Sequence, residues 1–211
     1  MKTLLVATTN PGKLREIRTL LANAAVKLIG LSDIAPIEEP EETGATFEEN
    51  ARLKARYYAE RSGMWTVAED SGLVVDALGG EPGVRSARFL RPGASYEERF
   101  AEIFHRLDAR SGEPRTARFV AALASVDHGD VVYETTGVVE GEIADAPRGS
   151  GGFGYDPIFY YPPYGRTLAE VSEGEKIAVA HRGIAFRKFA AWLEKHEPRR
   201  HEQHGSTKKS R

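Results

Sequence analysis

Two adjacent carboxylates, Glu69 and Asp70, followed by Ser71 and Gly72, stand between strand-like runs at 66–68 and 73–75. The tetrapeptide predicts a turn at a strand end, where open α/β sheets commonly display functional groups. An aspartate there is ionised at neutral pH unless strongly desolvated, so Asp70 could coordinate Mg2+ or accept a proton from a metal-activated water. A polar turn capped by Asp and Ser fits the same residues.

Five other groupings could carry chemistry. Thr8-Thr9-Asn10-Pro11-Gly12-Lys13 joins a buried strand to a helix, so backbone N–H groups, two hydroxyls and a lysine could converge on an anion. It lacks the G-x-x-x-x-G-K-S/T spacing of a Walker loop, and Asn-Pro-Gly is also an ordinary tight turn. Asn50 and Lys54 lie four apart on a helix and share a face, either as a donor pair or as two solvated side chains. Glu41, Glu42, Glu48 and Glu49 flank that helix's start, where they favour its dipole, and two of them could bind a divalent cation. In Gly151-Gly152-Phe153-Gly154-Tyr155-Asp156-Pro157, Phe153 or Tyr155 could stack on a flat base and Asp156 could accept from a ring N–H. A turn with core aromatics explains the same run. Lys176 and the pair His181-Arg182 precede the last helix, placed to bind phosphate or a keto oxygen, or to cap the helix.

The elements that must position these groups read as follows. Strands are predicted at 3–8, 26–30, 66–68, 73–75, 117–126, 131–139 and 157–161. Helices are predicted at 13–23, from the Thr46-to-Glu49 capping box to 61, at 96–107 after Ser95, and at 183–195. Residues 127–130 form a hairpin loop. These elements predict an α/β protein with a mixed twisted sheet, flanking helices and two lobes around a cleft. Residues 1–197 are expected to form a single two-lobed domain, with 198–211 a disordered tail.

Composition narrows the chemistry. The 211 residues contain no cysteine, which excludes disulfides, thiolate metal sites and a Cys nucleophile. Carboxylates, His, Lys, Ser/Thr or a hard metal must do the work. No run approaches the roughly 18 apolar residues of a membrane span, and no signal-peptide pattern is seen, so a cytoplasmic protein without membrane partners is expected. A net charge of -2 argues against general nucleic-acid binding. That charge is uneven: residues 199–211 hold five Lys/Arg against one Glu, so the body is clearly acidic.

In order along the chain, Ala7 to Lys13, Glu42-Thr43-Gly44, Glu49 to Ala55, Ala68 to Leu73, Gly80 to Arg88, Gly151 to Pro157 and His181-Arg182-Gly183 resemble the inosine/xanthosine triphosphate pyrophosphatase family. The matches span nearly the whole folded part. The resemblance implies Mg2+-dependent cleavage of ITP, dITP or XTP between the α and β phosphates, and a homodimer. It makes Asp70 the general base or metal-linked activator of water, and Glu42 a metal ligand with Asp70. Thr8, Thr9, Asn10, Pro11, Gly12, Lys13, Lys54 and Ser71 would hold the triphosphate. Phe153, Gly154, Tyr155, Asp156, Lys176, His181 and Arg182 would enclose base and sugar. Arg166, where relatives often carry Lys, and Ala180, where Ser is usual, bear on fine specificity. A pyrophosphatase for modified pyrimidine nucleotides and a binding module without catalysis are the alternatives; the Phe153 and His181 motifs favour purines, and intact Asp70, Glu42 and Lys13 favour catalysis.

Overall fold

In β1 (Lys2–Val6), Leu4 and Val6 face one way, Leu5 and the following Ala7 the other, and all four are buried. A strand covered on both faces belongs inside a sheet. The computed structural model, which describes residues 1–196, places it there in the order β2-β1-β3-β4-β5-β6-β7. The further strands are β2 (Val26–Gly30), β3 (Thr66–Val75), β4 (Thr116–Asp127), β5 (Asp130–Ile143), β6 (Phe159–Tyr161) and β7 (Arg166–Thr167). β1 runs parallel to β2 and β3, and every later pairing is antiparallel. The sheet is therefore mixed, as expected.

Among the described residues, five α-helices flank it: α1 (Pro11–Leu20), α2 (Phe47–Ser62), α3 (Tyr96–Asp108), α4 (Glu173–Val179) and α5 (His181–His196). α2 buries Phe47, Ala51, Ala55 and Tyr58 against Leu5, Ala68, Ala122 and Ala124 on one face. α1 and α5 bury Ile17, Leu21, Phe186 and Phe189 against Leu4, Val6, Val67 and Leu123 on the other. Farther along β3 and β4, α3 packs Phe100, Ile103 and Leu107 with Leu73, Val75 and Phe119, forming the core of the second lobe. None of the helices among the described residues is long and apolar enough to cross a membrane.

Four expectations are corrected. Glu69-Asp70-Ser71-Gly72 is no turn: β3 runs unbroken, paired with β4 from Thr66↔Val126 to Val75↔Ala117. The polar side chains are tolerated because both faces supply charged partners. Gly72 has to be glycine, since a Cβ there would lie 2.3 Å from Ser86 Oγ and 2.6 Å from Gly83 O. Second, Asn10 is an N-cap accepting from the N–H groups of Gly12 and Lys13 at 2.9 and 3.1 Å, and α1 begins at Pro11, whose missing N–H is harmless there. Third, Lys176 lies within α4, while His181 and Arg182 open α5 rather than preceding it. Fourth, Pro157 sits in a 3-10 turn, so its strand starts at Phe159. The tail expected at 198–211 lies outside the described residues.

Candidate active site

The cleft exists because β1 is short. It pairs with β3 only at Leu5↔Thr66 and Val6↔Val67, so β3 from Glu69 onward has a free edge until a lone bridge at Val74↔Pro82. Strand alternation turns Glu69 and Ser71 toward α1 and α5, and Asp70 toward α2. A cavity of about 410 Å³ wraps this edge, lined by Thr8, Thr9, Asn10, Lys13, Glu42, Lys54, Glu69, Asp70, Ser71 and Arg88 among others.

α2 delivers the partners of Asp70. Thr46 Oγ1 caps the helix by accepting from the Glu49 N–H at 3.1 Å; Glu49 returns a contact to the Ala45 N–H rather than to Thr46, a variant of the expected box. Asn50 and Lys54 then project together: Asn50 Nδ2 donates to Asp70 Oδ2 at 3.2 Å and Lys54 Nζ to Asp70 Oδ1 at 3.0 Å. Both are inward rather than solvated, and Asn50 is 1% exposed. Lys54 also reaches Glu42 Oε1 at 2.7 Å, and Arg88 holds Glu42 Oε2 at 2.9 Å. Burial raises the pKa of Asp70, only partly offset by Lys54, which makes its carboxylate a stronger base than an ordinary aspartate. Burial opposes ionisation of Glu42 as well, but Lys54 and Arg88 outweigh it and lower its pKa.

The other face carries a buried ion network. Arg182 grips Glu69 with two nitrogens at 2.9 and 2.8 Å and also bonds Glu16. Lys176 bonds Glu16 at 3.0 Å and Asp156 at 2.8 Å. Lys13 bonds Glu69 at 2.9 Å and Ser71 Oγ at 3.0 Å. Burial disfavours the Glu69 charge, yet Arg182 and Lys13 hold its pKa well below the usual carboxylate range. For Asp156 burial prevails over Lys176 and its pKa is raised.

Lys176, Arg182 and Asp156 enclose a second cavity of about 100 Å³ with Phe153, Gly154, Tyr155, Phe119 and His181, which shares Asn10, Lys13, Ser71 and Ala87 with the first. Lys176 Nζ and the Arg182 guanidinium lie 4.4 and 5.3 Å from the Phe153 ring centre. His181 stacks on Phe119 at 4.8 Å, and its Nδ1 is buried with no hydrogen-bond partner among the described residues. Burial, then Arg182, drives its pKa well below the ordinary value, so the ring is neutral. An orphaned polar atom of this kind suits a ligand that completes its bond.

Most of the expected site residues converge on the two cavities, with qualifications. Thr9 donates to Glu39 at 2.9 Å; Gly12 lines a third hollow behind Phe153, and exposed Pro11 lines none of those described. The Asp156 carboxylate accepts from the Phe153 N–H and bonds Lys176, so it braces the loop. Tyr155 donates its hydroxyl to Ser86 O at 2.8 Å and packs on Tyr96 and Phe100 as a wall. Of the four glutamates around α2's start, only Glu42 reaches Asp70's partners. Sequence reasoning missed Glu16, Glu39 and Arg88. Glu16 follows Lys13 by three on α1, a helical spacing that signals a shared face.

The hard oxygens fit magnesium. Glu42 and Asp70 bond the same ammonium of Lys54, so both point at one centre of positive charge. No group of three or more His, Asp or Glu able to hold a metal occurs among the described residues. One or two carboxylates are what Mg2+ asks of a protein when it keeps waters and takes phosphate oxygens.

The model of the Ham1 family matches residues 4–192. A protein of Symbiobacterium thermophilum named dITP/XTP pyrophosphatase is 50% identical over 184 residues, covering 87% of this chain and 91% of its own. One of the same name from Thermus thermophilus is 51% identical, with 86% and 87% covered. The solved HAM1 protein from Coxiella burnetii superposes with a TM-score of 0.87 at 39% identity, covering 92% of this chain and all of its own.

Proposed function

The chain belongs to the Ham1 family, and from that premise we propose that it hydrolyses ITP, dITP and XTP to the nucleoside monophosphate and pyrophosphate, removing deaminated purines from the nucleotide pool. The observation that carries this reading is the meeting of two unlike cavities at Asn10, Lys13, Ser71 and Ala87. One offers aromatic surface and a neutral imidazole for a base. The other offers cations and a desolvated carboxylate for phosphates.

Asp70 takes the proton of the attacking water, its base strength raised by burial and its orientation fixed by Asn50 and Lys54. Lys13, Ser71 and the hydroxyls of Thr8 and Thr9 hold phosphate oxygens, with Asn10 fixing the backbone that carries them. Glu42 and Asp70 would hold Mg2+, which supplies Lewis-acid neutralisation of phosphate charge when bound. Phe153 offers a stacking surface. Lys176, His181 and Arg182 set the polarity against which the purine's 6-keto edge is read. Donors aimed at a keto oxygen are left unpaired by the amino group of adenine, which disfavours ATP. A homodimer, tested by light scattering, and a cytoplasmic location, where free nucleotides are met, belong to the same reading.

The test supplies ITP, dITP, XTP, GTP and ATP with Mg2+ and identifies the phosphorus product. Pyrophosphate and a strong preference for ITP and XTP over ATP are expected. Orthophosphate would overturn the cleavage position, and equal rates on ATP would overturn the specificity.

A further inference from the structure

Arg88, the third cation on the wall of the phosphate cavity beside Lys13 and Lys54, has no task in the reaction so far described. It ends the 3-10 turn Gly83–Arg88, which is anchored at Ser86. Ser86 Oγ accepts from the Leu73 N–H at 2.9 Å and donates to Gly83 O at 2.6 Å, while Ser86 O accepts from the Tyr155 hydroxyl at 2.8 Å. The backbone near Arg88 is thus tied to the central strand and to the wall of the base cavity, whereas its side chain stands at the cavity mouth.

The three cations are held differently. The side chain of Lys13 is 18% exposed and lies between Glu69 and Ser71; that of Lys54 is 12% exposed and lies between two carboxylates. Arg88 is 50% exposed, and its one ion-pair partner among the described residues is Glu42 Oε2. A guanidinium has five N–H donors in a planar fork suited to phosphate, so a single carboxylate oxygen leaves most of them available. Glu42 keeps Lys54 on its other oxygen and is not stranded if Arg88 departs.

The cavity walls also order the ligand. Asn10, Lys13, Ser71 and Ala87 line both cavities, but Arg88 lines only the phosphate side. A nucleotide with its base beside Phe153 and His181 has its first phosphate at the shared wall and its later phosphates toward Arg88. We propose that Arg88 binds the β and γ phosphates, releasing Glu42 as it does so, and so grips the half of the substrate that leaves as pyrophosphate. This rests on reading the cleft as a triphosphate site.

Calorimetric titration of the full chain with pyrophosphate, in EDTA and in Mg2+, and separately with inosine monophosphate tests it. Arg88→Gln is expected to weaken metal-free pyrophosphate binding about 10- to 100-fold, the scale of a lost charge-assisted hydrogen bond. Arg88→Lys should recover part of that loss. Monophosphate affinity should stay within about twofold, which also shows the variants are folded, and KM for ITP should rise more than kcat falls. Unchanged pyrophosphate affinity in Arg88→Gln would overturn the proposal. A loss seen only with Mg2+ would assign Arg88 to positioning Glu42 and overturn it equally. Orthophosphate as the wild-type product would overturn the parent reading instead, leaving the pyrophosphate titration to judge Arg88 by itself.

Discussion

Arg182 and Arg88 each pair with a glutamate, yet the first has a side chain 2% exposed and the second 50%. Arg182 belongs to the base end of the cleft, where α1, β3, α4, α5 and the loop before β6 contribute Glu16, Glu69, Lys176, Arg182 and Asp156 to one buried network. Arg88 belongs to the phosphate end, where Glu42, Lys54 and Asp70 line an open cavity about four times larger. Buried ion pairs are costly to break because the stranded charge cannot regain water. A contact made by a half-exposed side chain such as that of Arg88 can be traded for ligand charge, since water covers what is released. The cleft thus separates a fixed frame that shapes the base cavity from exchangeable contacts that meet the phosphates and carry the reaction.

The largest effect is expected at the phosphate end. Asp70→Asn should lower kcat at least ~100-fold, the scale of a lost general base, while nucleotide binding stays within a few-fold. Steady-state kinetics with a separate binding titration would show this, and near-normal turnover would place the base elsewhere. Stability should show the opposite ranking. Arg182→Met takes from Glu69 its two-nitrogen partner and from Glu16 one of its two cations, leaving Lys13 and Lys176 to hold buried carboxylates, and should cost about 3–5 kcal/mol in urea unfolding. Lys54→Met leaves Glu42 with Arg88 and Asp70 with Asn50, so a cost of about 1–2 kcal/mol is expected. Equal costs would erase the distinction between frame and exchangeable contacts.

The same distinction explains what could be read from the chain. Local signals were faithful: β2 has its expected bounds, Thr46 and Ser95 cap the helices they announce, and residues 127–130 join two long strands. Family motifs brought Asp70, Lys54, Glu42 and Lys13 together, and the structure puts all four on one cavity. What failed was local reading of charges whose partners are remote. Glu69 and Asp70 suggested a turn because two carboxylates and a glycine suit one. They occupy a central strand because Arg182, more than a hundred residues away, and Lys54 neutralise them from opposite faces. Glu16 carries no local signal for the same reason; its partners Lys176 and Arg182 come from the far end of the chain.

The smallest test concerns His181, a neutral imidazole among the charged side chains of the base cavity. Burial and Arg182 keep its folded pKa well below 6.5, so the folded protein leaves the ring neutral while the unfolded chain takes a proton near that pH. Below it the unfolded state binds more protons, and stability must fall as pH drops, by up to about 1.4 kcal/mol per unit until the folded pKa is reached. Glu69, whose pKa is depressed, begins to lose its stabilising contribution only as pH falls through the ordinary carboxylate range, where the unfolded chain takes up its proton, so the two windows separate. Urea unfolding between pH 7.5 and 5.5 should therefore show the wild type losing about 1 kcal/mol more than His181→Asn. Parallel losses would mean that the folded protein accepts a proton at His181. A protonated ring beside Arg182 and Lys176 would signal a base cavity wet enough to screen them, and the frame would then be as exchangeable as the phosphate end.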